Sequence, residues 1–136
     1  MKQLIYHITT FILMTTTLLF IAGCSTDNKT PSMIYYTTYD GNIITPIDNA
    51  FNAKIVSNTY ENGIGIIKFD NAIDEIGEEA FISCKRLISI NIPNGVTTIG
   101  NMAFSGCINL SEITIPNSVT KIGADSFSCC KRLTNI

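Results

Sequence analysis

Cysteine is the residue type in this chain with the most chemistry to offer, because three of the five cysteines recur at equal spacing. Cys84, Cys107 and Cys130 follow one another at a constant 23-residue interval, and Cys129 adjoins the last of them. A structural zinc ion needs four converging ligands, usually close cysteine pairs or histidines, and this column supplies three at most. Stacked cysteines can also form disulfides when their Cα atoms lie about 5 Å apart. Since parallel stacking does not aim neighbouring sulfurs at each other, we expect free thiols packed as small buried hydrophobes.

Residues suited to acid–base or nucleophilic catalysis are sparse. The single histidine is His7, in the apolar N-terminal segment, and the sequence shows neither a phosphate-binding glycine loop nor a nucleophile beside a base. The carboxylate pairs Asp74-Glu75 and Glu78-Glu79 could share a reaction, but a charged surface facing water explains them. We therefore predict that the protein is not an enzyme and has no catalytic residue, metal site or cofactor.

The cysteines belong to a repeated frame with the same 23-residue period, and this frame must fold before any side chain is positioned. Copies begin at Ile76, Ile99 and Ile122 and follow the pattern I-G-x-x-A-F-x-x-C-x-x-L-x-x-I-x-I-P-x-x-V-x-x, with Ser126 in place of the alanine in the last copy. A fixed period of this length is typical of a solenoid, in which each coil buries its apolar side chains only against its neighbours.

Within one copy, alternation predicts a strand over residues 87–92, with Ile90 and Ile92 pointing inward. Pro93 ends this strand because it lacks a backbone N–H. We expect Gly100 at a tight turn on the return path, where the apolar side chains turn inward again. These side chains are Val96, Ile99, Ala103 and Phe104.

This frame resembles the leucine-rich repeats of the BspA type, which occur in bacterial surface proteins. The resemblance covers residues 64–136, about three repeats with the last incomplete, and residues 34–63 only as a plausible cap. It implies a leucine-rich repeat solenoid with a parallel β-sheet on its concave face. It also implies a cell-surface role in adhesion or in binding a host protein.

The outward strand positions are where we expect binding. One column contains Ile66, Ser89, Glu112 and Asn135, and the next contains Lys68, Asn91 and Thr114. These short, mostly polar side chains suit hydrogen bonding to an extracellular or host protein or a glycan, and they suit a solvated face without a partner equally well. The candidate binding face within these columns consists of Ser89, Asn91, Glu112 and Thr114.

Two further sets of side chains have structural explanations beside functional ones. An asparagine column follows the strands, and its amides can hydrogen-bond along a stack or contact a ligand; its members are Asn71, Asn94 and Asn117. Two basic pairs occupy equivalent positions of the repeat frame, but the copy between them has an uncharged dipeptide there. We therefore favour an edge of the solenoid that faces solvent over a continuous basic stripe. The pairs are Lys85-Arg86 and Lys131-Arg132, and the dipeptide is Ile108-Asn109.

Residues 34–63 are predicted to cap the first coil, whose apolar face and backbone would otherwise be exposed. We expect one hairpin of residues 34–39 and 42–45 around Asp40-Gly41 and a second, 54–60 with 64–69, around Asn62-Gly63, because both dipeptides favour two-residue turns. Strand 64–69 precedes the strand at 87–92 by one period of the frame. We therefore expect it to form the first rung of the parallel sheet.

The N-terminal segment predicts export. Residues 1–23 combine Lys2 with an apolar run and a small-residue cleavage site, as in a secretory signal peptide. The alternative is a membrane-spanning anchor, for which the apolar run is short against a ~30 Å hydrocarbon core.

Residues 21–24, Ile-Ala-Gly-Cys, resemble the bacterial lipobox. The resemblance implies that Cys24 becomes the lipidated N-terminus; the alternative is an unmodified Cys24 after an ordinary signal peptide. Residues 24–33 would then form a flexible tether. We expect an anchor in the bacterial cell envelope, in the outer membrane, and leave surface exposure open because Asp27 is the only acidic residue near Cys24.

Charge argues against a nucleic-acid partner. The 136-residue chain has 9 basic and 11 acidic residues, a net charge of −2. Removal of the signal peptide leaves 8 of the 9 basic residues against the same 11 acidic ones, so the net charge becomes −3. A nucleic-acid-binding protein usually shows a basic stripe, which this composition does not favour.

The chain stops at Ile136, before the last coil is complete. An open coil end exposes unpaired backbone, so we expect a fragment, a truncated gene product, or an end that pairs with another chain. Two functions remain. The first is a lipid-anchored leucine-rich repeat module for adhesion or protein or glycan binding through its concave sheet. The second is a structural or assembly fragment of a longer repeat protein with no ligand of its own.

Overall fold

The computed structural model describes residues 30–134, and within that range the chain forms eight strands and one short 3-10 helix. The predicted signal peptide and lipidation site lie outside these residues. The elements in chain order are β1 (Met33–Thr38), the 3-10 helix (Asp48–Ala50), β2 (Ile55–Glu61), β3 (Ile64–Phe69), β4 (Glu75–Ile76), β5 (Leu87–Asn91), β6 (Thr98–Ile99), β7 (Glu112–Thr114) and β8 (Lys121–Ile122).

The strands form two sheets. Strands β4, β6 and β8 form a parallel sheet, and the other five form a sheet of order β2-β3-β1-β5-β7. In each parallel pairing the partners are separated by one period of the frame: Ile76 pairs with Ile99, Ile99 with Ile122, and Ile90 with Ile113. Equivalent positions of successive copies therefore lie side by side.

Strand β1 lies in the middle of the five-stranded sheet. It pairs antiparallel with β3 on one side and with β5 on the other, so this sheet is mixed rather than wholly parallel. Strand β3 points in the same direction as β5 but is separated from it by β1. The prediction that residues 64–69 form the first rung of a parallel sheet is therefore wrong. Strand β1 stabilises this arrangement by burying Ile34 and Tyr36, which are 0% and 1% exposed.

The insertion of β1 also changes the register of the sheet. Ile66 pairs with Tyr35 and Tyr35 with Asn91, so the predicted alignments of Ile66 with Ser89 and of Lys68 with Asn91 are wrong. Ile66 is aligned instead with Asn91, the next residue after Ser89 on the same face of β5. Because the register therefore shifts by an even number of positions, each side chain stays on its predicted face of the sheet.

The first predicted hairpin does not form, because residues 42–45 contain no strand. Side chains hold this segment instead: Asn58 Nδ2 donates to the Ile44 carbonyl at 2.7 Å, and the Tyr36 hydroxyl donates to Asn58 Oδ1 at 2.7 Å. These bonds take the place of part of a strand's backbone pairing. Strands β2 and β3 do form a hairpin, around Asn62-Gly63, whose φ angles of 52° and 84° suit a left-handed two-residue turn.

A stack of phenylalanines runs through the core. Phe81 and Phe104 lie parallel with ring centroids 5.2 Å apart, and Phe104 and Phe127 are stacked at 5.4 Å. Phe51 closes the stack edge-on against Phe81 at 5.8 Å. Such pairs add about 0.5–1.5 kcal/mol each beyond area burial. The other largest fully buried side chains are Tyr36, Phe69, Ile34, Ile67, Ile73, Ile76, Leu87, Ile92, Ile99 and Leu110.

The glycine of the repeat frame is required by a close approach of two backbones. A Cβ on Gly100 would lie 2.6 Å from the Glu78 backbone nitrogen, and the Gly100 N–H donates to the Ile76 carbonyl at 2.7 Å. Gly100 does not have a positive φ angle; the left-handed residues of this copy are Met102 and Gly106, at 51° and 76°. Gly100 does begin a turn, as expected, because its carbonyl accepts the Ala103 N–H at 3.4 Å, but the need for a glycine comes from the close approach of the neighbouring copy.

Candidate binding face

The four predicted binding residues lie together on the solvent-facing side of the five-stranded sheet, called the outer face here. Strands β5 and β7 pair Ser89 with Glu112 and Asn91 with Thr114. The isoleucines between them point the other way and are only 3% and 8% exposed. Alternation along two paired strands therefore brings two hydroxyls, an amide and a carboxylate to a single surface.

Three of these four side chains are available for contacts. Ser89 is half-buried, and its hydroxyl shares a hydrogen bond of 2.7 Å with the Thr37 hydroxyl of β1. Asn91, Glu112 and Thr114 are exposed, and within residues 30–134 their side chains form no hydrogen bond with one another or with other groups. The arrangement can donate and accept hydrogen bonds and holds one negative charge.

Strand β1 adds residues to the outer face that sequence analysis missed. Met33, Tyr35 and Thr37 alternate with the buried side chains of the strand and so point outward. The local hairpin signal at Asp40-Gly41 pairs this strand with residues 42–45 and gives no indication that it lies beside β5. The signal that could have found the outer residues is their period of two, because it predicts one exposed face wherever the strand pairs.

The cysteine column lies in the core and not on the outer face. Cys84, Cys107 and Cys130 are free thiols, and Cys107 is 0% exposed. Cys107 Sγ donates to the Phe81 carbonyl at 3.1 Å. Burial raises the pKa of Cys84 to about 11 and that of Cys107 to about 12. Both are therefore protonated at neutral pH, and neither has the thiolate character of a nucleophile.

The predicted asparagine column does not form a hydrogen-bonded stack. Among the described residues no hydrogen bond joins the side chains of Asn71, Asn94 and Asn117, which are exposed. The Asn71 side chain instead accepts the N–H of the next residue at 2.8 Å. Serine hydroxyls link the copies instead: Ser118 donates to the Val96 carbonyl at 2.7 Å, Ser111 to that of Ile88 at 3.3 Å, and Ser126 to that of Gly100 at 3.0 Å.

Arg86 is engaged in an ion pair. Its Nε lies 2.7 Å from Asp40 Oδ2, and the Asn42 N–H donates to Asp40 Oδ1 at 3.2 Å. Partial desolvation raises the pKa of Asp40, but the hydrogen bonds from Asn42 and the Arg86 charge outweigh it and hold the pKa below its ordinary value. The ion pair thus connects the loop after β1 to the loop before β5. Because it is exposed to solvent, it contributes little to stability.

Two absences apply to the part of the chain that the structure describes. Residues 30–134 contain no cluster of three histidine, cysteine, aspartate or glutamate side chains placed to hold a metal ion. The same residues contain no helix of the length and hydropathy needed to cross a bilayer.

The carboxylate residues Glu75, Glu78 and Glu79 line an open groove beside the three-stranded sheet, together with Lys121.

The fold and the outer face define a stacked-repeat protein with a polar sheet surface. The model of the family described as "BspA type Leucine rich repeat region (6 copies)" matches residues 47–136. The chain belongs to this family, and its fold is that of a leucine-rich repeat protein. Proteins of this class generally bind other proteins and are typically not enzymes. The match begins after β1, so that strand lies outside the repeat family's segment.

Two solved structures are similar to the chain. The first is a leucine-rich repeat protein of T. pallidum that is 31% identical to this chain, with a TM-score of 0.46. The match covers 47% of this chain and 30% of that protein. The second is a leucine-rich repeat protein from Bacteroides ovatus that is 29% identical, with a TM-score of 0.47. The match covers 85% of this chain and 29% of that protein. This chain thus spans less than a third of the length of either protein. No curated protein matches the chain.

Proposed function

We propose that the protein is an exported, lipid-anchored member of the family that binds an extracellular or host protein, or a glycan, through its outer face. In this proposal 23-residue coils form a solenoid, the outer face is its concave side, and residues 34–63 cap the first coil. Cys24 carries the lipid that holds the protein in the bacterial outer membrane, and the bound partner gives an adhesive role. The leucine-rich repeat class, which generally binds proteins, supports the binding role.

The observation that carries the proposal is the pairing of Ser89 with Glu112 and of Asn91 with Thr114 on one solvent-facing surface. Strand β5 is held rigidly, because it pairs with β1 on one side and β7 on the other and its isoleucines pack into the core. Rigid presentation of polar groups lowers the entropy lost on binding a partner. Ser89, Asn91 and Thr114 add to this, because their short side chains have few rotamers to fix.

Binding of the full chain to immobilised extracellular-matrix proteins and to a glycan array tests the proposal. The informative variant is Glu112→Lys, which reverses the charge on the outer face. We expect it to weaken any specific binding about tenfold, since like charges placed opposite one another disfavour the complex. The matched control is Glu78→Lys, an exposed glutamate beside the other sheet. Equal binding by both variants, or no saturable binding by the parent chain, would count against the proposal.

The anchor is tested separately. We expect cells expressing the chain to incorporate labelled fatty acid into it, to lose that label on Cys24→Ser, and to keep it on Cys129→Ser, which removes an exposed cysteine elsewhere. Label retained in Cys24→Ser would show that Cys24 does not carry the lipid. Protease added to intact cells then reports whether the outer face is on the cell surface.

A further inference from the structure

The outer face has an apolar centre, and two of its three residues lie outside the segment that the repeat family's model matches. Met33 is 40% exposed, and Tyr35 and Ile66 are half-buried. All three point outward, and Met33 and Tyr35 lie in β1, before the matched residues 47–136. The Tyr35 hydroxyl is 3.5 Å from Met33 Sδ, so the two side chains lie against each other. We call Met33, Tyr35 and Ile66 the apolar centre.

Strand pairing places the apolar centre among polar side chains. One row across the sheet aligns Thr59, Ile66, Tyr35, Asn91 and Thr114. An apolar middle enclosed by a polar rim is the usual anatomy of a protein interface, and tyrosine and methionine are enriched there. The apolar centre and the polar residues of the proposed function thus form one continuous surface.

Charges of opposite sign lie on either side of this row. Lys68 pairs with Met33, two residues before Tyr35 in β1, and Glu112 pairs with Ser89, which pairs with Thr37, two residues after Tyr35. With strands about 4.8 Å apart and a rise of about 3.3 Å per residue, the two charges are separated by about 20 Å. An extended peptide spans this distance with about six residues.

We propose that the apolar centre anchors an extended segment of a protein partner, which places an apolar side chain against Tyr35, a carboxylate near Lys68 and a basic group near Glu112. This inference rests on the proposed function and names its partner as a peptide segment rather than a glycan. Tyr35 alone among the three offers a flat ring and a hydroxyl, and that hydroxyl lies against Met33 Sδ. The thioether of Met33 and the aliphatic group of Ile66 pack well against apolar side chains, which favours a peptide. The charges on the two sides fix the direction of the bound segment.

A random 12-residue peptide library displayed on phage is the probe, selected against the full chain. We expect enriched peptides to contain an acidic and a basic residue about six positions apart with an apolar residue between them. Tyr35→Ser should weaken binding of an enriched peptide at least tenfold, and Tyr35→Phe should retain it. The matched control Tyr39→Ser removes a tyrosine that is 63% exposed outside the strand, and it should leave binding within twofold.

The charges provide a second test that does not depend on the apolar side chains. We expect the double variant Lys68→Glu, Glu112→Lys to lose the original peptides and to bind a peptide in which the acidic and basic residues are exchanged. Circular dichroism of each variant checks folding, and Ile66→Thr, which keeps the branched shape, replaces Tyr35→Ser if that variant does not fold.

The outcomes separate the inference from the proposed function. If Glu112→Lys weakens peptide binding while Tyr35→Ser and Ile66→Thr do not, the proposed function stands and the apolar anchor is wrong. If glycans bind the outer face and no peptide is enriched, the anchor is likewise wrong. If no variant of the outer face changes binding of any probe, both proposals fail.

Discussion

The second and third copies of the repeat frame share their main apolar positions, but equivalent residues differ greatly in burial. Ile99 is 0% exposed and its equivalent Ile122 is 51% exposed, and fully buried Phe104 corresponds to half-buried Phe127. The second copy is packed from both sides, whereas among the described residues the third is packed from one side only. The difference shows that a repeat's side chains acquire their burial from neighbouring copies, as expected of a stacked architecture.

The phenylalanine stack gives the largest expected contrast. Phe104→Ala removes a ring that is packed between Phe81 and Phe127, and we expect it to lower the free energy of unfolding by about 3–5 kcal/mol. Phe127→Ala removes a half-buried ring with one stacked neighbour and should cost about 1–2 kcal/mol. Urea unfolding measures both. Equal costs would mean that the third copy is as well covered as the second.

The glycine column gives an intermediate contrast. A Cβ at Gly100 would meet the Glu78 backbone nitrogen at 2.6 Å, and one at Gly123 would meet the Asn101 backbone nitrogen at 2.5 Å. We expect Gly100→Ala to cost about 1–3 kcal/mol, as overpacking does. Gly123→Ala should cost less, because the third copy can shift outward. Thermal unfolding compares the two, and a larger loss for Gly123→Ala would contradict the one-sided packing of that copy.

The smallest expected effect is a difference in thiol reactivity between Cys107 in the second copy and Cys129 in the third, which is measured without any substitution. At about pH 8 we expect iodoacetamide to modify exposed Cys129 first and Cys107 last, with peptide masses identifying each site. Burial raises the native pKa of Cys107 to about 12, so the native state keeps this proton when an unfolded thiol has lost it. Stability should therefore fall as the pH rises from about 9 towards 12. Equal modification rates for Cys107 and Cys129 would show that the core opens readily.

Much of the candidate site was predictable because strand alternation depends only on local sequence. The buried positions of Ile90 and Ile113 place Ser89, Asn91, Glu112 and Thr114 on the opposite side of the same strands, as the period of two predicts. The side of the sheet to which these residues point does not depend on which strand lies next to β5. A shift of the strand register by an even number of residues leaves each side chain on the same side.

The place of β1 was not predictable by the same reasoning. Asp40-Gly41 is a strong local hairpin signal, but residues 42–45 contain no strand and β1 pairs with two distant strands instead. Asn58 Nδ2 donates to the Ile44 carbonyl, 14 positions away in sequence, and the Tyr36 hydroxyl donates to Asn58 Oδ1, 22 positions away. Such bonds have no local pattern, so the apolar centre and the register of the outer face escaped prediction.

The sequence by itself determined the period of the repeat frame and the side of each strand that faces the core, because both follow from the spacing of apolar residues along the chain. Only the tertiary structure decided that β1 lies between β3 and β5, that Gly100 admits a neighbouring backbone, and that Ile122 is exposed while Ile99 is buried. Each of these depends on which other segment lies alongside, and the same position of the frame is buried or exposed according to that neighbour.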